Sequence, residues 1–161
     1  MTEERPDVSS QSLHDPYDPF VALLRERTFS PPSEGWSAEL IAAHVAHTNN
    51  RIAHVVEQVL IGESPSYDNR DDIDGEELLA YAESVGGLDG LTLAVETSAA
   101  RLASAAAALS ESQREQLIPV VIFDDDALVV DGPLPLGGFI EGNSSFHLDL
   151  HHRQLQALVS E

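Results

Sequence analysis

The chain of 161 residues contains no cysteine and no lysine, and it lacks any long uninterrupted apolar stretch. Without cysteine it can form neither a disulfide nor a thiolate zinc site, so any metal must be held by histidine, aspartate or glutamate. A helix that crosses a bilayer needs roughly 20 consecutive apolar residues, which this sequence does not offer. These absences exclude disulfide-stabilised folds and predict a protein without a membrane span.

Positive charge is also scarce, because 8 arginines stand against 28 acidic residues and the net charge is −20. An acidic surface repels phosphate backbones and anionic headgroups, so we expect neither nucleic acid nor a membrane as a partner. The first residues, MTEERPDVSSQSLHD, are polar and acidic, unlike the basic start and apolar centre of a signal peptide. We therefore expect a cytoplasmic protein with a flexible tail over residues 1–15 and a single domain over residues 16–161.

Helical periodicity dominates the sequence after this tail. A short helix is predicted after Asp18, and a long second helix from the Ser37 cap to about Ile61. A third helical stripe begins at Leu88, and a last helix begins near Leu136 and continues to the end of the chain. Between the second and third helices, a capping-box pattern at residues 74–77 precedes a further helical segment.

A β-hairpin is predicted before the last helix. The segments IPVVIF and LVV are β-branched and apolar, and they flank the acidic stretch DDDA, so residues 117–131 favour two short strands. This hairpin either covers a site or extends a dimer contact. The predicted fold class is therefore all-α, a four-helix bundle with a short β-hairpin inserted before the last helix.

The strongest chemical signal is the segment HLDLHHRQL at residues 147–155. On a helix, residues four apart lie one turn above each other, so His147 and His151 project from the same face. That face is the apolar stripe of the last helix, where two imidazoles need a common partner. A third ligand is expected from the second helix, on which His44 borders the apolar stripe whereas His47 and His54 lie on the polar side.

Less specific interpretations compete with a metal site. A histidine pair at helical spacing is often a hydrogen-bonded or surface feature. The carboxylates at residues 124–126 favour a solvated turn over a cation site, and Glu141 is a weak candidate for a general base. Trp36 and Phe20 are interpreted as core residues rather than as ligand platforms, and His152 as outward-facing or supporting the site.

The segments WSAELIAAH at residues 36–44, PLPLGGFI at 133–140 and HLDLHHRQL at 147–155 resemble the DinB-like superfamily. That superfamily includes thiol-dependent S-transferases and the N-terminal domain of mycothiol-dependent maleylpyruvate isomerase. The resemblance implies a four-helix bundle that holds a divalent metal through His44, His147 and His151, with zinc as the expected ion and nickel as an alternative. The sequence departs from the isomerase pattern after the last predicted helix, so we do not expect that enzyme's second domain or maleylpyruvate isomerisation.

The expected function is that of a metal-dependent transferase or isomerase. Its partners would be a low-molecular-weight thiol such as mycothiol, activated at the metal, and a small electrophilic substrate. Two alternatives remain: a metal-dependent hydrolase that uses metal-bound water, and a non-catalytic bundle that binds metal or mediates dimerisation. A homodimer is compatible with each of these functions.

Overall fold

A computed structural model describes residues 15–160, and its helices begin and end largely where local sequence signals place them. The helices are α1 (Asp18–Glu26), α2 (Ala38–Leu60), α3 (Gly75–Ser84), α4 (Leu88–Ala107), α5 (Glu111–Glu115), α6 (Leu136–Gly142) and α7 (Leu148–Ala157). A π-helical segment, Asn143–His147, joins α6 to α7. The expected tail over residues 1–15 lies outside the described residues except for Asp15, which begins a short 3-10 turn.

Capping side chains explain three of the helix starts. The Ser37 hydroxyl accepts a hydrogen bond from the Leu40 amide at 3.3 Å and begins α2, as the sequence predicted. Asp74 accepts from the amides of Glu76 and Glu77 and begins α3. The short helix α5 was not predicted, although Ser110 begins it with a capping box.

The sheet is larger than a hairpin and corrects the all-α prediction to a mostly helical fold with three strands. Strands β2 (Leu117–Asp124) and β3 (Ala127–Pro135) pair antiparallel, with an irregularity in register between Ile122 and Phe123. The third strand, β1 (Tyr67–Asp68), pairs parallel to β2. β1 has only two residues and lies in a polar connection, so no period-2 pattern marked it. The hairpin also extends beyond residue 131, because the segment PLP joins β3 at the sheet edge, where proline is tolerated.

Two groups of buried apolar side chains hold the elements together. The first lies where α1, α2, α3, α4 and α7 meet, and includes Phe20, Ile41, Leu78, Leu91 and Leu155. The second lies where α2, α4, α6 and the sheet meet, and includes Ile52, Leu102, Ile118, Leu136 and Ile140. Each fully buried side chain of this size contributes about 1.5–3 kcal/mol relative to exposure.

Helix α2 is the element on which the others assemble. It packs along α4 and contacts α7, while α1 contacts both α4 and α7. The turn from α3 into α4 is tight, and a Cβ at Gly90 would lie 1.7 Å from the Val85 carbonyl oxygen, so this position requires glycine. Within residues 15–160, no single helix has the length and hydropathy to cross a membrane; α3 and α4 meet those criteria only as a pair, which is bent by 99°.

Candidate metal centre

His44 lies on the buried face of α2, and only 4% of its surface is exposed. Its position follows from the three-four spacing of the apolar residues around it, which turns this face of the helix toward the core. The Nδ1–H group donates a hydrogen bond to the main-chain carbonyl of Asp72 at 2.5 Å. This contact fixes the ring orientation and directs Nε2 away from the loop.

His147 and His151 belong to the continuous helical rod formed by α6, the π-helical segment and α7. His147 is the last residue of the π-helical segment, and His151 lies four residues further along, buried to all but 6% of its surface. The first residue of the π-helical segment, Asn143, donates from Nδ2 to the Tyr17 hydroxyl at 3.2 Å and to Asn49 Oδ1 at 3.1 Å. These buried hydrogen bonds tie the irregular turn to α2 and to the residue before α1. Short π-helical turns occur frequently at functional sites.

The three rings converge through their Nε2 atoms. His147 Nε2 lies 2.9 Å from His44 Nε2 and 3.1 Å from His151 Nε2. The ligand atoms of all three residues lie within 4.8 Å of one another. The structure therefore brings together the three histidines that the sequence selected.

Where the three Nε2 atoms meet, the hydrogen-bond pattern leaves more nitrogen lone pairs than N–H hydrogens. His44 donates through Nδ1, and His151 donates through Nδ1 to Gln154 Oε1 at 2.8 Å, so both neutral rings carry a lone pair on Nε2. A neutral His147 has at most one hydrogen on Nε2, which can satisfy only one of its two short contacts. The other contact opposes two lone pairs, and a cation between the nitrogens would stabilise it.

Burial keeps these rings uncharged at neutral pH. Desolvation, together with the nearby His151, lowers the pKa of His44 to about 4. Desolvation, with repulsion from His151 and His44, lowers the pKa of His147 to about 2, and desolvation also lowers the pKa of His151. Neutral imidazole is the form that coordinates a metal, so no ligand has to lose a proton first.

The spacing of the nitrogens fits a metal site. A divalent ion about 2.0–2.1 Å from each imidazole nitrogen, with ligand angles between octahedral and tetrahedral, would separate these nitrogens by roughly 2.8–3.4 Å. The two nitrogen separations at His147, 2.9 and 3.1 Å, lie within that range. The residues present therefore fit a divalent ion held by three imidazoles.

The loop that orients His44 is held by a buried carboxylate. The Asp72 side chain is fully buried and accepts hydrogen bonds from the Tyr67 hydroxyl and from His47 Nδ1, both at 2.5 Å. Arg51 Nε lies 3.6 Å from the same carboxylate. Burial, and then the negative charge of Asp72, raise the pKa of Tyr67 well above 10, so its hydroxyl remains a donor. Asp72 thus links β1 and α2 to the carbonyl that fixes His44.

An aromatic ring forms one side of the cluster. The Trp36 ring centroid lies 5.0 Å from that of His44 and 6.3 Å from that of His151, with nearly parallel planes in the second pair. Trp36 is partly buried and packs against the first core cluster, and it also lines the cavity beside the histidines. Phe20 lies in the core with 1% of its surface exposed, as predicted.

A cavity of about 830 Å³ opens beside the three histidines. Its walls come from the α1–α2 connection, α2, the sheet, α6, the π-helical segment and α7. The hairpin forms one wall of the cavity through residues 122–125 and 129–130. Most lining residues are apolar, among them Trp36, Ile52, Leu134, Phe139 and Leu150.

Comparisons with protein-family models, with curated proteins and with solved structures found no match. Function is therefore inferred from the geometry of the site.

Other candidate residues do not join the histidine cluster. Glu141 is exposed, its Oε1 lies 3.4 Å from Arg114 Nη2, and it is not among the residues that line the cavity. In the acidic stretch at residues 124–126, Asp124 ends β2 and the next two residues form the predicted turn, while Asp124 and Asp125 also line the cavity. His54 is exposed, and His152 packs against the Phe20 ring.

Sequence reasoning missed the residues that orient the ligands. His47 was placed on the polar surface, but it is partly buried and binds Asp72. Asp72 itself lies in a run of acidic residues that reads as a solvated loop. Strand β1 precedes this loop and pairs with β2 over only two residues. Such a short strand has no periodic sequence pattern, so no sequence signal marked Asp72.

Proposed function

We propose that the protein is a metal-dependent transferase or isomerase that uses a low-molecular-weight thiol, such as mycothiol, and belongs to the DinB-like superfamily. The observation that carries this proposal is the convergence of three neutral imidazole nitrogens at the wall of a large cavity. A divalent ion bound there would supply Lewis acidity that lowers the pKa of a coordinating thiol.

The helix contacts support a four-helix bundle. We take its four members to be α1, α2, α4 and the α6–α7 rod. The pairs α1–α4, α4–α2, α2–α7 and α7–α1 are all in contact, which is the closed ring expected of such a bundle. His44 and the His147–His151 pair then come from two neighbouring members, so the ligands face each other across a helix interface.

The residues of the chain would hold the ion and set its geometry. The Nε2 atoms of His44, His147 and His151 are the ligands, while the Asp72 carbonyl and the Gln154 amide fix two of the rings through Nδ1. Zinc is the proposed ion because it takes imidazole ligands readily, and nickel suits the same donor set.

The number of ligands favours a reactive site over a purely structural one. Among the described residues, the cluster contains three ligating side chains, whereas structural zinc sites are closed by four protein ligands. The cavity leaves access from one side, where a small molecule can approach. The chain contributes no thiol of its own, so a thiol nucleophile would enter as a cosubstrate.

Metal analysis of the purified protein tests the site. We expect about one zinc per chain after loading with Zn²⁺ and dialysis, measured by inductively coupled plasma mass spectrometry. The variant His147→Ala should lose at least tenfold in Zn²⁺ affinity, because one of three ligands is removed. The matched control His54→Ala removes an exposed histidine from the same protein and should retain the metal. Equal metal content in the wild type and His147→Ala would contradict the metal site.

The thiol requirement is tested by turnover of the zinc-loaded protein. We expect a panel of electrophiles to react with mycothiol or a substitute thiol faster in the presence of wild type than of His147→Ala. Turnover that is the same with and without thiol would assign hydrolysis instead and would overturn the transferase or isomerase proposal.

A further inference from the structure

We propose that the cavity beside the histidine cluster binds a mainly apolar ligand without an anionic group, and that the electrophilic substrate of the site belongs to this class. The link to turnover rests on the proposed function, but binding of the ligand does not. The inference follows from the charges, the exposed side chains and the glycines that line the cavity.

The charges around the cavity disfavour anions. All eight basic residues of the chain are arginines, and none of the described ones lines the cavity. The charged side chains that do line it are Glu34, Asp124 and Asp125, all acidic. Apart from the metal ion proposed above, a carboxylate, sulfonate or phosphate would therefore lose its hydration without gaining a cationic side chain among the lining residues as a partner.

Large apolar side chains are exposed at the entrance of the cavity. Phe146, Val129 and Leu150 line the cavity and are 79%, 57% and 44% exposed. Phe146 directly precedes the ligand His147, so the apolar rim and the metal ligands belong to the same helical rod. An exposed apolar rim around a concave surface is typical of sites for apolar ligands.

Two glycines keep one wall of the cavity open. Gly138 and Gly142 lie one turn apart on α6, and both line the cavity. Neither has a positive φ, and an added Cβ at either position would meet nothing within 4 Å, so neither backbone strain nor packing requires glycine there. Glycine in a helix costs roughly 0.5–1 kcal/mol relative to alanine. Room for a bound molecule explains why these positions carry no side chain.

The ligand class is tested with two fluorescent probes on the same ring system. N-Phenyl-1-naphthylamine is uncharged, and 8-anilinonaphthalene-1-sulfonate differs from it by one sulfonate. We expect the uncharged probe to bind at least tenfold more tightly in a fluorescence titration. The preference should persist in 1 M salt, where the screening length is about 3 Å and the distant charges of the chain no longer act. Equal affinities, or tighter binding of the sulfonate, would overturn the proposal.

A substitution in the cavity wall locates the probe. Gly138→Leu places a side chain into the cavity and should lower the affinity for the uncharged probe at least tenfold. The control Gly75→Leu adds the same side chain at an exposed position outside the cavity, where a Cβ also meets nothing within 4 Å. It should leave the affinity unchanged. Circular dichroism confirms that both variants fold. Unchanged probe binding by folded Gly138→Leu would remove the probe from this cavity and overturn the assignment.

A second pair of variants tests the role of charge. Val129→Arg introduces a cation at the cavity rim, whereas Leu128→Arg introduces the same charge at the neighbouring exposed residue, which does not line the cavity. Only Val129→Arg should tighten binding of the sulfonate probe, by about tenfold. An equal effect of both substitutions would mean that net charge sets the preference and would contradict the local argument.

Zinc content, measured on the same samples, separates the two proposals. Tight binding of the uncharged probe by protein that takes up no zinc would support the ligand class and contradict the metal site. Normal zinc content without probe binding would support the metal site and contradict the ligand class. Probe affinity that falls as the protein concentration rises would assign the cavity to a second copy of the chain and overturn the small-ligand proposal.

Discussion

Replacing Asp72 by alanine should both destabilise the fold and weaken metal binding, although this residue is not a ligand. The carboxylate is fully buried and accepts from the Tyr67 hydroxyl and from His47 at 2.5 Å each. Its main-chain carbonyl accepts from His44 at 2.5 Å. Asp72→Ala therefore removes the side-chain contacts that keep this carbonyl in place.

The size of the stability loss in Asp72→Ala follows from how exposed each side chain that contacts the carboxylate is. Tyr67 is only 3% exposed, so its hydroxyl would be left buried without an acceptor, at a cost of about 1–3 kcal/mol. The side chains of His47 and Arg51 are 29% and 32% exposed and can rehydrate, so each adds well under about 1 kcal/mol. The expected loss in unfolding free energy is about 2–4 kcal/mol. Displacement of the carbonyl should lower Zn²⁺ affinity by about 10–100-fold.

Urea denaturation gives the first quantity and isothermal titration with Zn²⁺ the second. Asp71→Ala is the matched control, since this adjacent carboxylate is 78% exposed and forms only a surface ion pair with Arg51 at 3.0 Å. It should change stability by no more than about 1 kcal/mol and leave Zn²⁺ affinity unaltered. Adding Tyr67→Phe to Asp72→Ala should recover part of the stability, because the orphaned hydroxyl is removed. If Asp72→Ala and Asp71→Ala behaved alike in both assays, the positioning role would be refuted.

Three further outcomes are expected. Burial raises the pKa of Tyr17 to about 12, above an unfolded value near 10, so its contribution to stability is complete below pH 10 and is lost as pH rises toward 12. Alkaline urea titrations should therefore show a shallower decline, by up to about 1.4 kcal/mol per pH unit, for Tyr17→Phe than for the wild type. Leu102→Ala should cost about 2–5 kcal/mol by chemical denaturation, since this side chain is 2% exposed, whereas Leu93→Ala on the same helix, 61% exposed, should cost less than about 0.5 kcal/mol. Ser37→Ala removes the α2 cap and should lower the thermal midpoint, with a cost of about 1 kcal/mol.

The parts of the site that lie on helices could be predicted from the sequence. Helical spacing alone places His147 and His151 on one face, and the apolar stripe of the second helix selects His44 from three histidines. Their convergence at 2.9 and 3.1 Å agrees with that selection. The four main helices were predicted for the same reason, because a period of 3.6 residues persists over many turns.

The parts that depend on loops could not be predicted. Asp72 acts through a main-chain carbonyl and a short 3-10 turn, and Trp36 reaches the site from the residue before a helix cap. Neither position belongs to a repeating pattern, so only long-range packing reveals its neighbours. The strand β1 was missed for this reason too, since two residues cannot display an alternation.

The π-helical segment determines how the cavity wall and the metal ligands are aligned. It accommodates one more residue in its turn than an α-helix would, and everything after it is rotated accordingly. Removing one residue before His147 would turn the imidazoles of His147 and His151 by about 100° relative to the preceding cavity wall, while leaving their mutual spacing intact. The length of this one helical turn therefore sets the angle between the cavity wall on α6 and the histidine cluster.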